Sequence, residues 1–158
     1  MQHYEEIINN MHIKRLKINQ KKSTFPYLHI CCIIKGDNVI STGVNSEREL
    51  YSGCTYSCHA ETDAIYKLPP NNSKRIKNID IIVIRVTQLK LKDSKPCSKC
   101  LEHMMKIKGY KIKNIYYSDN DGTIKCERLI DLYYSEYKHI SHTFKLRQLK
   151  REMEIRKK

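Results

Sequence analysis

Two short segments constrain this chain more than anything else in it: His59-Ala60-Glu61, and Pro96-Cys97-Ser98-Lys99-Cys100 further on. The first sets an imidazole two residues before a carboxylate, and the second sets two thiols at i and i+3 behind a proline. On the first turn of a helix, Cys97 and Cys100 project to one side, where the N-terminal partial charge lowers thiol pKa values. His59, opening an earlier helix, can add a neutral imidazole, so that two thiolates and one nitrogen face a zinc dication. Three protein ligands leave a fourth position for water, whose pKa falls to about 7 in such a site. Glu61 is then placed to accept the water's proton. The competing arrangement is a structural zinc knot, with Cys54 or Cys58 as fourth ligand and Glu61 incidental. Either way Zn2+ is the expected metal, and the fold must bring together two helix starts that lie far apart in sequence.

The elements that could do this follow from periodicity. Tyr4, Ile7, Ile8 and Met11 recur at i, i+3, i+4 and i+7, which predicts an amphipathic helix from about Gln2 to Lys17. Tyr27 to Lys35 and Asn38 to Val44 read as strands joined by a Gly36-Asp37 hairpin turn. The unbroken run Ile30-Cys31-Cys32-Ile33-Ile34 predicts a strand buried on both faces, central in its sheet, with Cys31 and Cys32 as inert core residues. The polar stretch from Gly43 to Ser57 reads as a loop at a strand end, where substrate contacts concentrate. A helix follows from about Cys58 through Leu68 and is stopped by Pro69-Pro70. Ile79 to Val86 is a further buried strand, Thr87 to Pro96 a loop delivering the cysteines, and Cys97 to Lys108 a helix closed by Gly109 at C′. Lys111 to Ser118 and Thr123 to Leu129 complete the series as strands linked by Asp119-Asn120-Asp121-Gly122. This order predicts a three-layer α/β fold with helices on both faces of a mixed five-stranded sheet, the short last turn making the fifth strand antiparallel.

A chain of 158 residues suffices for one domain that buries about 68–70 % of its unfolded surface. We expect that domain over 1–137, with 138–158 a basic C-terminal helix or tail docked on it. The tail holds eight Lys or Arg and two Glu. Leu146, Leu149 and Met153 give it an amphipathic stripe that could dock on the domain, pair with a second subunit, or lie along phosphates. The net charge of +13 favours an anionic partner, a nucleotide or a nucleic acid, although a chain rich in Lys, Ile, Asn and Tyr and without Trp also carries the stamp of AT-rich coding. The N-terminus has acids where a signal peptide needs positive charge, and the longest apolar run, Leu28 to Ile34, is broken by His29, so neither secretion nor membrane spanning is expected. Seven cysteines without a secretory signal read as thiols and metal ligands in a reducing, cytoplasmic compartment.

His59-Ala60-Glu61 followed by Pro96-Cys97-x-x-Cys100 resembles the zinc-dependent cytidine/deoxycytidylate deaminase superfamily. The resemblance implies the cytidine deaminase-like fold, His59, Cys97 and Cys100 as zinc ligands, and Glu61 as the catalytic acid and base. It also implies hydrolytic conversion of cytosine to uracil with release of ammonia. Asn45, Ala60 and Ser94 become the substrate-binding candidates. Asn45 follows the second strand where deaminases place a sugar-contacting asparagine, and Asn45-Ser46-Glu47 is similar to the Asn-x-Glu of nucleoside deaminases. Ser94-Lys95-Pro96-Cys97 resembles the Ser-x-Pro-Cys of polynucleotide-editing enzymes. An antiparallel fifth strand is similar to the free-nucleoside branch, whereas a histidine ligand belongs with the nucleotide and polynucleotide branches. The expected substrate is therefore a free nucleoside or nucleotide (cytidine, deoxycytidine or a monophosphate). A polynucleotide substrate (tRNA, RNA or single-stranded DNA) is the alternative, with Tyr116, Tyr117, Tyr133, Tyr134 and Tyr137 as stacking platforms. A noncatalytic zinc protein that binds nucleic acid stands third. Family members often form homo-oligomers.

Overall fold

The computed structural model describes residues 4–10, 28–49, 55–87, 90–136, 139–140, 145 and 152–153. Residues 4–10 form helix α1. β1 (Leu28–Lys35) and β2 (Asn38–Val44) follow, then a small hairpin of β3 (Ser46–Glu49) and β4 (Thr55–Cys58), and then α2 (Ala60–Tyr66). β5 (Lys77–Val86), the two-residue β6 (Leu91–Lys92), α3 (Ser98–Met105), β7 (Tyr110–Ser118), β8 (Ile124–Arg128) and α4 (Leu129–Tyr134) complete the order.

The main sheet runs β2-β1-β5-β7-β8, with β6 pairing on β5. Only β5 and β7 are parallel among its described pairs; β8 returns antiparallel to β7, as the short turn after Ser118 requires. The fold is thus the expected three-layer α/β arrangement with a mixed sheet, the small β6 adding a sixth strand. Gly36, at φ +58°, makes the hairpin turn between Lys35 and Asn38.

β1 and β5 are central because their sequences leave few polar positions to face water. The alternation of side chains splits their apolar residues between two cores. Leu28, Ile30, Cys32 and Ile34 join Ile82, Ile84 and Val86 on one face, closed by Ile7 of α1. Cys31 and Ile33 join Ile79, Ile81 and Val83 on the other, beneath residues of α2, α3 and α4. Each fully buried Ile contributes about 1.5–3 kcal/mol of transfer free energy, so these two strands hold the layers together. Asp80 sits where the β5–β7 register shifts. Its Oδ1 accepts the Asn114 N–H at 3.0 Å and its Oδ2 the Tyr4 hydroxyl at 3.2 Å, which ties α1 to the sheet.

Several boundaries differ from the sequence expectation. The stretch read as loop from Gly43 to Ser57 contains the β3–β4 hairpin, whose polar residues gave no apolar alternation to read. Thr123 to Leu129 shortens to Ile124–Arg128, because Leu129 opens α4 and buries itself against the α3 side of the core. α3 ends at Met105, so Gly109 is not its C′ residue. At φ +78° it turns the chain into β7, and its carbonyl accepts Asn71 Nδ2 at 2.7 Å and Lys77 N–H at 3.1 Å. Most of the basic tail, including Leu146 and Leu149, lies outside the described residues, as do Met11 to Lys17 and Cys54. Among the described residues no helix is long and apolar enough to cross a membrane.

Candidate active site

The site lies at the end of the sheet where β5 terminates and β1 begins, between the starts of α2 and α3. α2 is fixed there by contact with backbone. Gly43 of β2 passes so close beneath it that a Cβ would stand 2.9 Å from Ala64 Cα and closer still to the Ala60 carbonyl oxygen and the Ala64 nitrogen. Two hydrogen bonds lock the seat: Ser41 Oγ donates to the Ala64 carbonyl at 2.6 Å, and the Val44 N–H donates to Asp63 Oδ2 at 3.1 Å. Asp63 is buried and also pairs with Lys67 Nζ at 2.6 Å, so the aspartate that anchors the helix is itself neutralised. His59 is the extended residue before the first turn, and Glu61 the second helical residue.

α3 is delivered by a loop knotted to the strand ends. The Ser94 hydroxyl donates to the Val83 carbonyl at 2.8 Å, lies 2.9 Å from Ser118 Oγ, and accepts the Ser118 N–H at 2.8 Å. The Ser94 N–H donates to the Ser118 carbonyl at 2.8 Å. Pro96, fully buried, carries the chain from this knot to Cys97, which occupies the N-cap position of α3. The Ser98 N–H at that same helix start donates to the His139 carbonyl at 2.8 Å, so the chain beyond α4 returns across the site.

Together these seats bring His59, Cys97 and Cys100 within 4.8 Å of one another. His59 Nδ1 stands 3.5 Å from Cys97 Sγ and 3.3 Å from Cys100 Sγ. Bond lengths of about 2.0–2.1 Å to nitrogen and 2.3 Å to sulfur at tetrahedral angles give about 3.5 Å between a nitrogen and a sulfur, so the donors already have the spacing zinc requires. Cys58 is not in this group; its thiol lies 3.7 Å from the His59 carbonyl. Thr62 Oγ1 lies 3.9 Å from Cys100 Sγ, an outer contact to a ligand sulfur.

The donor set asks for a cation. The hydrogen bond from Cys100 holds the Cys97 thiol down at about 4, with burial opposing and His59 assisting. The same bond, with burial, pushes Cys100 up. Two sulfurs so close cannot both ionise without a positive charge between them, and a dication supplies it. The hydrogen bond to Cys97 raises His59 against burial. Glu61 is 5 % exposed. Burial raises its carboxyl above the ordinary range, against the pull of His59, and so favours its protonated form more than water would.

The substrate-contact candidates fall differently. Asn45 lies at the end of β2, its Oδ1 accepting the His29 N–H at 2.7 Å while its own N–H donates to the His29 carbonyl at 3.2 Å. Ala60, fully buried, sits between the histidine and the glutamate. Ser94 is buried with its hydroxyl committed to backbone and to Ser118. The side chain of Glu47 and all of Tyr137 lie outside the described residues. Tyr116 stacks on Tyr4 at 4.5 Å, on the α1 side of the sheet and away from the site. Tyr117 is buried in the core beneath α3, while Tyr133 and Tyr134 meet edge to face at 5.1 Å. Sequence reasoning missed Gly43 and Asp63, which seat α2. A glycine inside a strand signals close backbone approach, which could have found the first; nothing local marks the second.

A three-layer α/β domain thus presents two thiols and an imidazole at two helix starts, with a buried carboxylate near them, a donor set that suits zinc. Residues 6–118, more than half of the chain, match the model of the cytidine and deoxycytidylate deaminase zinc-binding region, and the chain belongs to that family. Among solved structures it is similar to the dCMP deaminase of cyanophage S-TIM5 in complex with dCMP and dUMP: 18 % identity, 72 % of this chain and 82 % of that one, TM-score 0.42. The same enzyme in apo form gives 18 % identity over 58 % of this chain and 66 % of that one, TM-score 0.41. A cytidine deaminase from Burkholderia pseudomallei shares 16 % identity over 73 % of this chain and 87 % of that one, TM-score 0.48. No curated protein matches the chain.

Proposed function

We propose that this protein is a zinc-dependent hydrolase that deaminates cytosine in a free nucleoside or nucleotide. The observation that carries the reading is Glu61, buried beside the three metal donors and two residues past one of them. His59, Cys97 and Cys100 would hold zinc, which would lower the pKa of a water there to about 7. Glu61 would accept a proton from the attacking water and deliver it to ring nitrogen 3 of cytosine. The oxygen joins ring carbon 4; Glu61 then takes the second proton, from the added hydroxyl, and passes it to the amine as the carbon–nitrogen bond breaks. Cytosine and water become uracil and ammonia, with Glu61 returned to its starting state.

The antiparallel β8, joined to β7 through a short turn, supports a free substrate. The basic tail favours a polynucleotide instead. For Asn45 and Ala60 we propose contacts to sugar and base, Asn45 through Nδ2 and Ala60 through its backbone. Ser94 would meet the substrate through its backbone, its hydroxyl serving the Ser118 knot. We further propose 1–137 as the catalytic domain with 138–158 docked on it, a reading supported by the His139–Ser98 hydrogen bond. A cytoplasmic setting is supported by Cys31 and Cys126, which stand as thiols outside any disulfide.

The test is ammonia release across cytosine, adenine and guanine nucleosides, nucleotides and oligonucleotides. Glu61→Ala should retain one zinc per chain while losing turnover. Undiminished activity in that variant would refute the proton route, and activity confined to oligonucleotides would refute the free substrate.

A further inference from the structure

A second concave feature lies between the C-terminal ends of α2 and α3, whereas the zinc donors stand at their starts. α3 spans Ser98–Met105, so at 1.5 Å per residue the two features are about 12 Å apart along it. A cavity of about 280 Å³ opens there, with Leu68 and Ile107 in its wall and His103, Lys106 and Lys108 around it. Hydrogen bonds between the two flanking segments hold its shape. The Tyr110 hydroxyl donates to the Pro69 carbonyl at 2.7 Å, and Asn71 Nδ2 donates to the carbonyls of Gly109 at 2.7 Å and Arg75 at 2.8 Å.

Charge is sorted onto this end of the domain. Residues 66–77 and 103–110 hold six Lys or Arg and no Asp or Glu. Lys67 is paired with Asp63, while Lys74, Arg75, Lys106 and Lys108 are all exposed. AT-rich coding supplies lysine, but it does not keep acids out of two segments that meet only in the fold. An aromatic face adjoins the cavity: Tyr66 is 66 % exposed, and its ring meets that of His103 edge to face at 5.3 Å. Cations that track a backbone, beside an uncovered aromatic ring on which a base can stack, are the parts of a surface for single strands. A duplex hides its base faces from such a ring. Ile76 and Met105 are exposed as well; a lipid surface would suit side chains that stand proud, whereas the recess beside Tyr66 suits a base that enters.

We propose that this groove binds single-stranded nucleic acid, with Tyr66 as the stacking face and Lys74, Arg75, Lys106 and Lys108 as phosphate contacts, and that it is a docking surface separate from the catalytic pocket. The strand held there is a partner and not the substrate, since its bases lie a helix's length from the zinc donors. The inference stands independently of the substrate proposed above.

The experiment follows the anisotropy of fluorescein-labelled oligo-adenylate, about 12 nucleotides long and free of cytosine, on the full zinc-loaded chain. It is run as DNA and as RNA, and binding of either supports the groove. Tyr66→Ala should weaken binding about 5- to 100-fold, the worth of one stacked base. Lys106→Glu combined with Lys108→Glu should lower the slope of log affinity against log salt by about 1.4. These side chains are exposed, so the variants should keep the Tm and zinc content of wild type. Saturating oligo-adenylate should change the deamination rate of deoxycytidine by less than about twofold. Absence of binding, or binding equal to wild type in both variants, would overturn the groove. Equal affinity for the duplex of the same sequence would overturn the stacking face. Tighter binding to phosphatidylserine vesicles, lost in the same variants, would make the partner a membrane and overturn the assignment. Competitive inhibition of deamination by oligo-adenylate would place the strand in the catalytic pocket and overturn the separation of the two sites; the anisotropy measurements need no turnover and hold whatever the substrate.

Discussion

Replacing Gly43 by alanine tests whether the seat of α2 sets the chemistry. The added methyl group would lie 2.9 Å from Ala64 Cα and nearer to two other backbone atoms of the helix, none of which can rotate away. Carbon atoms rest about 3.5–4.0 Å apart, so α2 must retreat by roughly 1 Å. The retreat carries His59 away from Cys97 and Cys100, and Glu61 away from the base. Overpacking of this kind costs about 1–3 kcal/mol. For a chain of this size that corresponds to a fall in Tm of roughly 2–12 °C. A misplacement of about 1 Å costs on the order of 100-fold in rate. The measurement is Tm by calorimetry, zinc per chain by mass spectrometry, and ammonia release, each against Gly36→Ala. Gly36 has open space around it but a φ of +58°. Alanine there should lower stability by about 1–2 kcal/mol through strain while leaving zinc and rate intact. If Gly43→Ala equals wild type in rate and zinc content, α2 is not positioned by this contact and the reasoning is wrong.

Other outcomes follow from the same geometry. Ser118→Ala leaves Ser94 Oγ and the Arg85 N–H short of a partner, and should destabilise by about 1–3 kcal/mol in urea unfolding with zinc retained. Asp63→Ala strips the Val44 N–H of its acceptor and should lower Tm and kcat together, while Asp63→Asn, which keeps an acceptor oxygen, should recover most of the loss. His29 is held down at about 4 against an ordinary 6.5, so the folded state favours the neutral ring. Its stabilising contribution is complete above pH 6.5 and disappears as pH falls toward 4, amounting to about 3 kcal/mol; His29→Gln should flatten this acid limb in Tm measured against pH. Chelation of zinc should lower Tm in a manner restored by zinc alone, because the metal binds only the folded arrangement of His59, Cys97 and Cys100.

The cluster of His59, Cys97 and Cys100 was legible because each half of it is written within a few consecutive residues, and helical geometry turns that spacing into direction. The layers were legible because Ile30 to Ile34 and Ile79 to Val86 are too apolar to stand anywhere but the middle of a sheet. The pairing of His29 with Arg85 was not. His29 and Arg85 meet only through strand register, which no local pattern encodes, and in the sequence His29 merely interrupts an apolar run. Ser94 could be read as a pocket residue because its neighbours resemble a motif, yet its hydroxyl is occupied by Val83 and Ser118, partners that only the folded strands bring near. The β3–β4 hairpin was missed for the opposite reason: its residues are mostly polar, and pairing imposes an order that hydrophobicity does not announce.

The hairpin turn at Gly36-Asp37 lies at the opposite end of β1 from His29, a full strand's length from the zinc donors. Both residues are exposed, and nothing lies within 4 Å of a side chain built on Gly36. That turn is architectural freight without chemical duty. A reporter peptide spliced between Gly36 and Asp37, or a circularly permuted chain opened there, would leave the reacting end untouched and give this deaminase a handle through which its motions can be watched while it turns over.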